Sequence, residues 1–499
     1  MTDGTGHDVD THDPAVRASE LMERGVAAVR EGDHETAAAL LEEAEEVASA
    51  AGLSATAIAA HINRGWARWA QGDHDGAVPF YAEGAAMARE ADDSERLAVA
   101  LANLGVALRR TGRGDEAISA YEEYLPSLSD NPPAAIEAHL DCGVALAEAG
   151  DLDAASAHFE EAGRLAAASD LRESLPMIRL NQGLVAEHRG DVQAAIERYW
   201  DAYEVASETR SEETLGLAMI TLAHAYDRAE DQDRASACFT EAGGLFRASG
   251  ESERLADTLH AHAISLHDAG RVTDAVARWA EEAPLRREMG DHLGLGDCLF
   301  QHIVAVRGGQ EPPEINLMFA EAGDAYRRVG DSRHAADVRY SHAQLLRERE
   351  LHDMALERAR EAVEAASEVP HPVTECLARG LYAMMLADEG DFEAAAREIE
   401  LAEAAGRTSG EDPLMVGVLA RRAYVLACQA KAADEVTAQL QAAYDYAEAH
   451  TTAEMGLHAV DDVADEITAS CGRQYREPLR SFMERLKEPK AEGRKDAGA

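Results

Sequence analysis

The chain has 499 residues, 46% of them hydrophobic, and a formal charge of −47. That apolar content excludes an acidic disordered polymer, and the length excludes one simple core unless the core is built by repetition. The overall negative field repels a phosphate backbone, which argues against a nucleic-acid partner in the absence of a local basic patch.

The first segment, MTDGTGHDVDTHDP, has neither a positive n-region nor an apolar h-region, so no signal peptide is read there, and residues 1–13 are expected to be disordered. No apolar run is long enough to span a bilayer. The six cysteines are scattered, with no CxxC, which fits neither a disulfide framework nor a zinc site. These features together predict a cytoplasmic protein with no membrane partner.

From about residue 14 the chain repeats itself. EGDHETAAALLEEA begins at Glu31, QGDHDGAVPFYAEG at Gln71, TGRGDEAISAYEEY at Thr111, AGDLDAASAHFEEA at Ala149, RGDVQAAIERYWDA at Arg189 and EGDFEAAAREIELA at Glu389. The step is 40 residues, with one step of 38 around Asn131-Pro132-Pro133. Gly270 fits the same grid, and weaker copies fall near Glu230, Gln310, Glu350 and Ala430, so about eleven units cover residues 14–450.

Each unit reads as two helices. The first carries a small residue seven positions before the turn glycine (Gly25, Gly65, Gly105, Gly143, Gly183, then Ala223, Ala263, Ala343, Ala383 and Ala423). The second carries an alanine and, four residues on, a large apolar residue such as Leu41, Tyr81, Tyr121, Phe159, Tyr199, Phe239, Trp279 or Ile399. Small residues let facing backbones approach, and the large side chain fills the remaining gap. The glycine suits a left-handed cap, and the following Asp can cap the next helix. The Gly-Gly and Pro-Pro of RGGQEPPEIN, from Arg307, predict a softer joint at which a helix can still start. Residues 451–487 are expected to form capping helices, because a stacked array needs a polar end, and 488–499 a disordered tail.

The Asn103-Leu104-Gly105 stretch, followed by Gly112, Ala117 and Tyr121, resembles the tetratricopeptide repeat family, and the likeness recurs in register along nearly the whole chain. The 40-residue length is similar to that of the family's long-helix members. The resemblance implies an all-α fold, an α-solenoid in which about eleven helix-turn-helix repeats form a right-handed superhelix. It also implies that first helices line the concave groove. Asn63, Asn103, Asp141, Asn181 and Thr221, two residues before the small position, then form a polar ladder. A carboxamide both donates and accepts, which is what an extended peptide backbone requires. Trp66 and Trp69 share the face of Asn63 and serve either as an apolar platform for a partner side chain or as packing against repeats 1 and 3. Arg109 and Arg110 hold equivalent positions one repeat on, where an acidic group could pair with them.

In later repeats an Asp-x-x-x-x-His pattern recurs: Asp257 with His262, Asp297 with His302, and Asp337 with His342. The aspartates are expected to form an acidic stripe inviting a cationic segment. The histidines fall at the family's buried Leu position. With one per repeat they do not converge on a metal, and their stacking admits a pH response. No P-loop, GxSxG, dinucleotide fingerprint or zincin helix occurs, so neither a catalytic residue nor a cofactor is assigned. Two functions follow. The first is a non-catalytic scaffold or adaptor binding a partner peptide or helix in the groove. The second is a peptide-responsive sensor acting on a separate transcription factor or kinase. The identity of the protein partner and the oligomeric state stay open.

Overall fold

The computed structural model describes residues 13–487 except 308, 310–311, 369–370 and 452, and omits the side chains of 212–213 and 453–456. The segments 1–12 and 488–499, read as disordered from the sequence, lie outside the described residues. The fold is all-helical, in sequential antiparallel pairs, and no strand occurs among the described residues.

Two compact units divide the chain, residues 1–251 and 252–499. The first holds six pairs: α1 (Pro14–Glu31) with α2 (His34–Ala50), α3 (Ser54–Ala70) with α4 (His74–Glu90), α5 (Ser94–Arg110) with α6 (Gly114–Tyr124), α7 (Pro132–Glu148) with α8 (Leu152–Ala168), α9 (Leu175–His188) with α10 (Val192–Thr209), and α11 (Glu212–Arg228) with α12 (Gln232–Ser249). The second holds five: α13 (Ser252–Asp268) with α14 (Val272–Met289), α15 (His292–Val306) with α16 (Ile315–Arg328), α17 (Ser332–Glu348) with α18 (His352–Ser367), α19 (Pro372–Asp388) with α20 (Phe392–Ser409), and α21 (Asp412–Cys428) with α22 (Ala433–His450). It ends in α23 (Ala453–Ser470) and α24 (Arg476–Lys487). Eleven pairs therefore stand where eleven repeats were read.

The turns between paired helices follow the glycine grid. Gly72, Gly190 and Gly390 adopt φ of 81°, 80° and 82°, the left-handed region that a Cβ disfavours. The next residue caps the following helix: Asp73, Asp191 and Asp391 accept from the backbone N–H three residues on, at 2.9–3.0 Å. In the weaker repeats the same left-handed position is held by Glu230, Glu350 and Ala430, with φ of 59°, 59° and 55°. The backbone shape is therefore kept where the residue suited to it is missing. Ala430→Gly relieves a left-handed conformation costing about 1–2 kcal/mol, against a smaller entropic loss in the unfolded chain, so a gain of roughly 0.5–1 kcal/mol is expected in urea unfolding.

Packing within a pair rests on the small residue of the first helix. A Cβ built on Gly105 would lie 2.6 Å from the Tyr121 ring, on Gly143 2.5 Å from Phe159, and on Gly183 2.3 Å from Tyr199. Those three aromatic rings are fully buried. In unit one the first helices α1, α3, α5, α7, α9 and α11 also touch in succession, as do α17, α19, α21 and α23 in unit two, so first helices form a layer of their own.

Candidate functional site

The residues exposed on that layer are set by their distance from the small position. Two residues before it in unit one stand Asn63, Asn103, Asp141 and Asn181, all half-buried. The carboxamides of Asn63, Asn103 and Asn181 hydrogen-bond to no other group among the described residues. Burial pushes the Asp141 carboxyl above the usual range, against the pull of Arg109. The ladder stops at Thr221, whose hydroxyl donates to the Leu217 and Ala218 carbonyls of its own helix, at 3.1 and 3.0 Å.

Trp66 and Trp69 stand one and four residues after Gly65, and both are half-buried. Trp66 packs against the buried cluster that includes Val29 and Leu41 of the first repeat. Trp69 joins the cluster containing Tyr81 and Leu108, and its ring meets that of His74 at a 41° tilt, with centroids 4.1 Å apart. Each tryptophan thus packs against neighbouring side chains while part of it stays accessible. Arg109 pairs with Glu148 of the next repeat at 3.2 Å, so its charge is already engaged. Arg110 is exposed and pairs with no group among the described residues.

The Arg109–Glu148 pair is one instance of a rule the sequence reading missed. The residue four after the small position pairs with the residue five after it in the next repeat. Glu187–Arg228 repeats this at 3.0 Å, Arg307–Glu348 at 3.0 Å and Arg347–Asp388 at 3.2 Å. Each step is 39 or 41 residues, so the signal lies in the opposite charges at that spacing.

In unit two the same positions line a cavity of about 1000 Å³. Leu381 and Arg421 stand two before the small residue, Met384 and Tyr424 one after, and Arg347 and Ala387 four after; α23 adds Glu466. Arg347 is the hub. It pairs with Asp388 and Glu466 and donates to the Tyr424 hydroxyl at 2.9 Å, while Tyr424 donates to Asp388. Arg421 has no carboxylate partner among the described residues and reaches only the Tyr340 hydroxyl, at 3.4 Å.

The aspartates of the later repeats do not form a free acidic stripe, which corrects the sequence reading. They lie six residues before the small position, and each is tied to another helix. Asp257 accepts from Arg286 at 2.8 Å, Asp297 from the Tyr326 hydroxyl at 2.6 Å and Asp337 from the Thr374 hydroxyl at 3.2 Å. They brace packed helices and are absent from the cavity lining. His302 stacks on Trp279 and His342 on Phe319, the latter at 4.6 Å with rings 1° from parallel.

Burial pushes His342 down from 6.5 to about 4, with Arg358 and Arg349 adding to the effect. A base with a lowered folded-state pKa contributes stability that is present above pH 6.5 and lost as the pH falls towards about 4. His342→Leu should therefore flatten the decline in stability between those limits, by about 3 kcal/mol at its acid end; denaturant unfolding at a series of pH values measures it.

No group of three or more His, Cys, Asp or Glu side chains among the described residues is placed to hold a metal, and no described helix is long and apolar enough to cross a membrane. Cys142 and His158 approach to 3.7 Å, but burial pushes the thiol up to about 12, the reverse of what an attacking thiolate needs.

The family description for the tetratricopeptide repeat matches residues 21–43, 58–83, 98–123 and 136–161. No curated protein matches the chain by sequence. Among solved structures, BtubC from P. vanneervenii is similar at 19% identity over 43% of this chain and 91% of its own, with a TM-score of 0.38. The apo form of RapI is 12% identical over 55% and 99%, TM-score 0.42. A Rap protein complexed with competence and sporulation factor is 15% identical over 71% and 98%, TM-score 0.40. The family matches starting at 58, 98 and 136 keep the 40- and 38-residue steps of the grid, each spanning a small residue and its large partner: residues 21–161 carry tetratricopeptide repeats.

Proposed function

We propose that the chain is a non-catalytic scaffold or adaptor that binds a peptide or helix of a partner protein along the face of its first helices. One observation carries the reading: Asn63, Asn103 and Asn181 present half-buried carboxamides in register, none of them used within the described fold. A half-buried amide without a partner forgoes about 0.5–1.5 kcal/mol that a ligand hydrogen bond would return. Packed helices lie about 8–10 Å apart, and an extended peptide rises about 3.3 Å per residue, so one carboxamide per repeat meets roughly every third peptide residue. The exposed parts of Trp66 and Trp69 provide apolar contact beside the ladder, and Arg110 provides a free cation.

The cavity of unit two supports the same register, since it is lined by the equivalent positions of later repeats. The test is a pull-down from lysate of the source cell. Wild type is compared with an Asn63→Ala, Asn103→Ala, Asn181→Ala variant whose helicity by circular dichroism matches it. A protein retained by wild type and lost by the variant supports the ladder. Equal retention contradicts it and moves attention to the outer helices.

A further inference from the structure

Two thiols meet where the last repeat joins the helix that follows it. Cys428 is the final residue of α21, and Cys471 directly follows α23. Their sulfurs lie 3.1 Å apart, although the residues are 43 positions apart in sequence. A disulfide bond is about 2.05 Å long, so closure requires an approach of about 1 Å. The surroundings already hold the two segments together: the Tyr475 hydroxyl donates to the carbonyls of Ala427 and Lys431, at 3.1 and 2.7 Å. Both thiols line the 1000 Å³ cavity, so a small solute can reach them. The other cysteines, Cys142, Cys238, Cys298 and Cys376, are buried.

We propose that Cys428 and Cys471 are a modification site, a dithiol that a low-molecular-weight disulfide entering the cavity oxidises to an intramolecular disulfide. Cys428 is the attacking group. Its hydrogen bond with Cys471 holds its thiol below the usual range, with Tyr424 and Arg347 acting in the same sense, against burial and the Asp388 carboxylate. The same hydrogen bond and burial, with the charges of Cys428, Asp388 and Glu466, hold the Cys471 thiol up.

In the first step the Cys428 thiolate attacks one sulfur of the small disulfide. The bond between the reagent's two sulfurs breaks, one half leaves as a thiolate, and the other stays on Cys428 as a mixed disulfide. In the second step Cys471 loses its proton and attacks the Cys428 sulfur, expelling the remaining half as a second thiolate. The two protons released by the cysteines pass to the two leaving thiolates. Two protein thiols are oxidised and one small disulfide is reduced to two thiols. The product ties α21 to α23 around α22, across one wall of the cavity. This inference does not depend on what the cavity binds.

The experiment uses the full chain incubated with oxidised glutathione, acid-quenched, unfolded, alkylated and analysed by mass spectrometry after proteolysis. Of six cysteines, two are expected to become unavailable to alkylation, with one cross-linked peptide pair carrying Cys428 and Cys471. Cys471→Ser is expected to stop at the first step, keeping glutathione on Cys428. The proposal is overturned if wild type retains six free thiols, if it accumulates glutathione on Cys428 without the cross-link, or if the cross-link joins any other cysteine. Wild type alone decides the matter should the variant fail to fold.

Discussion

Replacing Arg286 with Met is expected to destabilise unit two by about 3–5 kcal/mol, among the largest effects any single change here should have. Arg286 lies almost wholly out of water and serves three carboxylates: Glu282 at 3.0 Å, Asp257 at 2.8 Å and Asp291 at 2.8 Å. Glu282 has no solvent exposure at all. Its second oxygen meets His260 at 3.1 Å, and that hydrogen bond raises the His260 pKa against burial. Without Arg286 the Glu282 carboxylate stays buried with only a weak, titrating cation beside it. The cost therefore comes from an uncompensated charge more than from a lost attraction. A second change, Glu282→Leu, removes that charge and should recover most of the loss. Denaturant unfolding of the single and double variants measures both, and an Arg286→Met variant as stable as wild type would contradict the account.

Gly183→Ala is expected to cost about 1–3 kcal/mol through overpacking. The new Cβ would lie 2.3 Å from the Tyr199 ring, which is fully buried and has no space to withdraw into. Gly183→Val should be worse, since a branched side chain reaches further into the same ring. The sixth repeat shows the compatible alternative, with Ala223 and Phe239 at the same two positions, both buried. Thermal melts of the two variants distinguish a steric origin from a simple loss of helix flexibility: in the latter case Gly183→Ala would stabilise, because alanine is the better helix former.

The architecture could be read from the chain because one steric solution recurs along most of it. A small residue, a turn glycine and a large partner recur at fixed spacing, so Gly105 with Tyr121 and Gly143 with Phe159 could be paired from sequence alone. The grid even located positions that lack the favoured residue: Glu230, Glu350 and Ala430 keep the left-handed turn.

The site was less accessible, for reasons that differ by residue. The register of Asn63, Trp66 and Arg109 follows from helical periodicity. The same register in repeats 9 to 11 holds Arg347, which repeats Arg307 at an interval of 40, but also Arg421 and Tyr424, which do not recur and so leave no pattern. Glu466 and Cys471 come from beyond the repeats altogether. Asp257, Asp297 and Asp337 mislead in the opposite direction. They recur at an interval of 40, yet their partners are an arginine, a tyrosine and a threonine on three other helices. Periodicity along one helix reveals its face but not what that face meets.

The central claim is that partners are held by the first-helix face. The most direct measurement places a photo-activatable cross-linking amino acid at Ala70 on α3 or at Ala82 on α4, both exposed positions of the same repeat. Irradiation in the source cell should give a discrete cross-linked protein from position 70 and none from position 82. The same product from position 82, with nothing from position 70, would contradict the account and assign binding to the second helices.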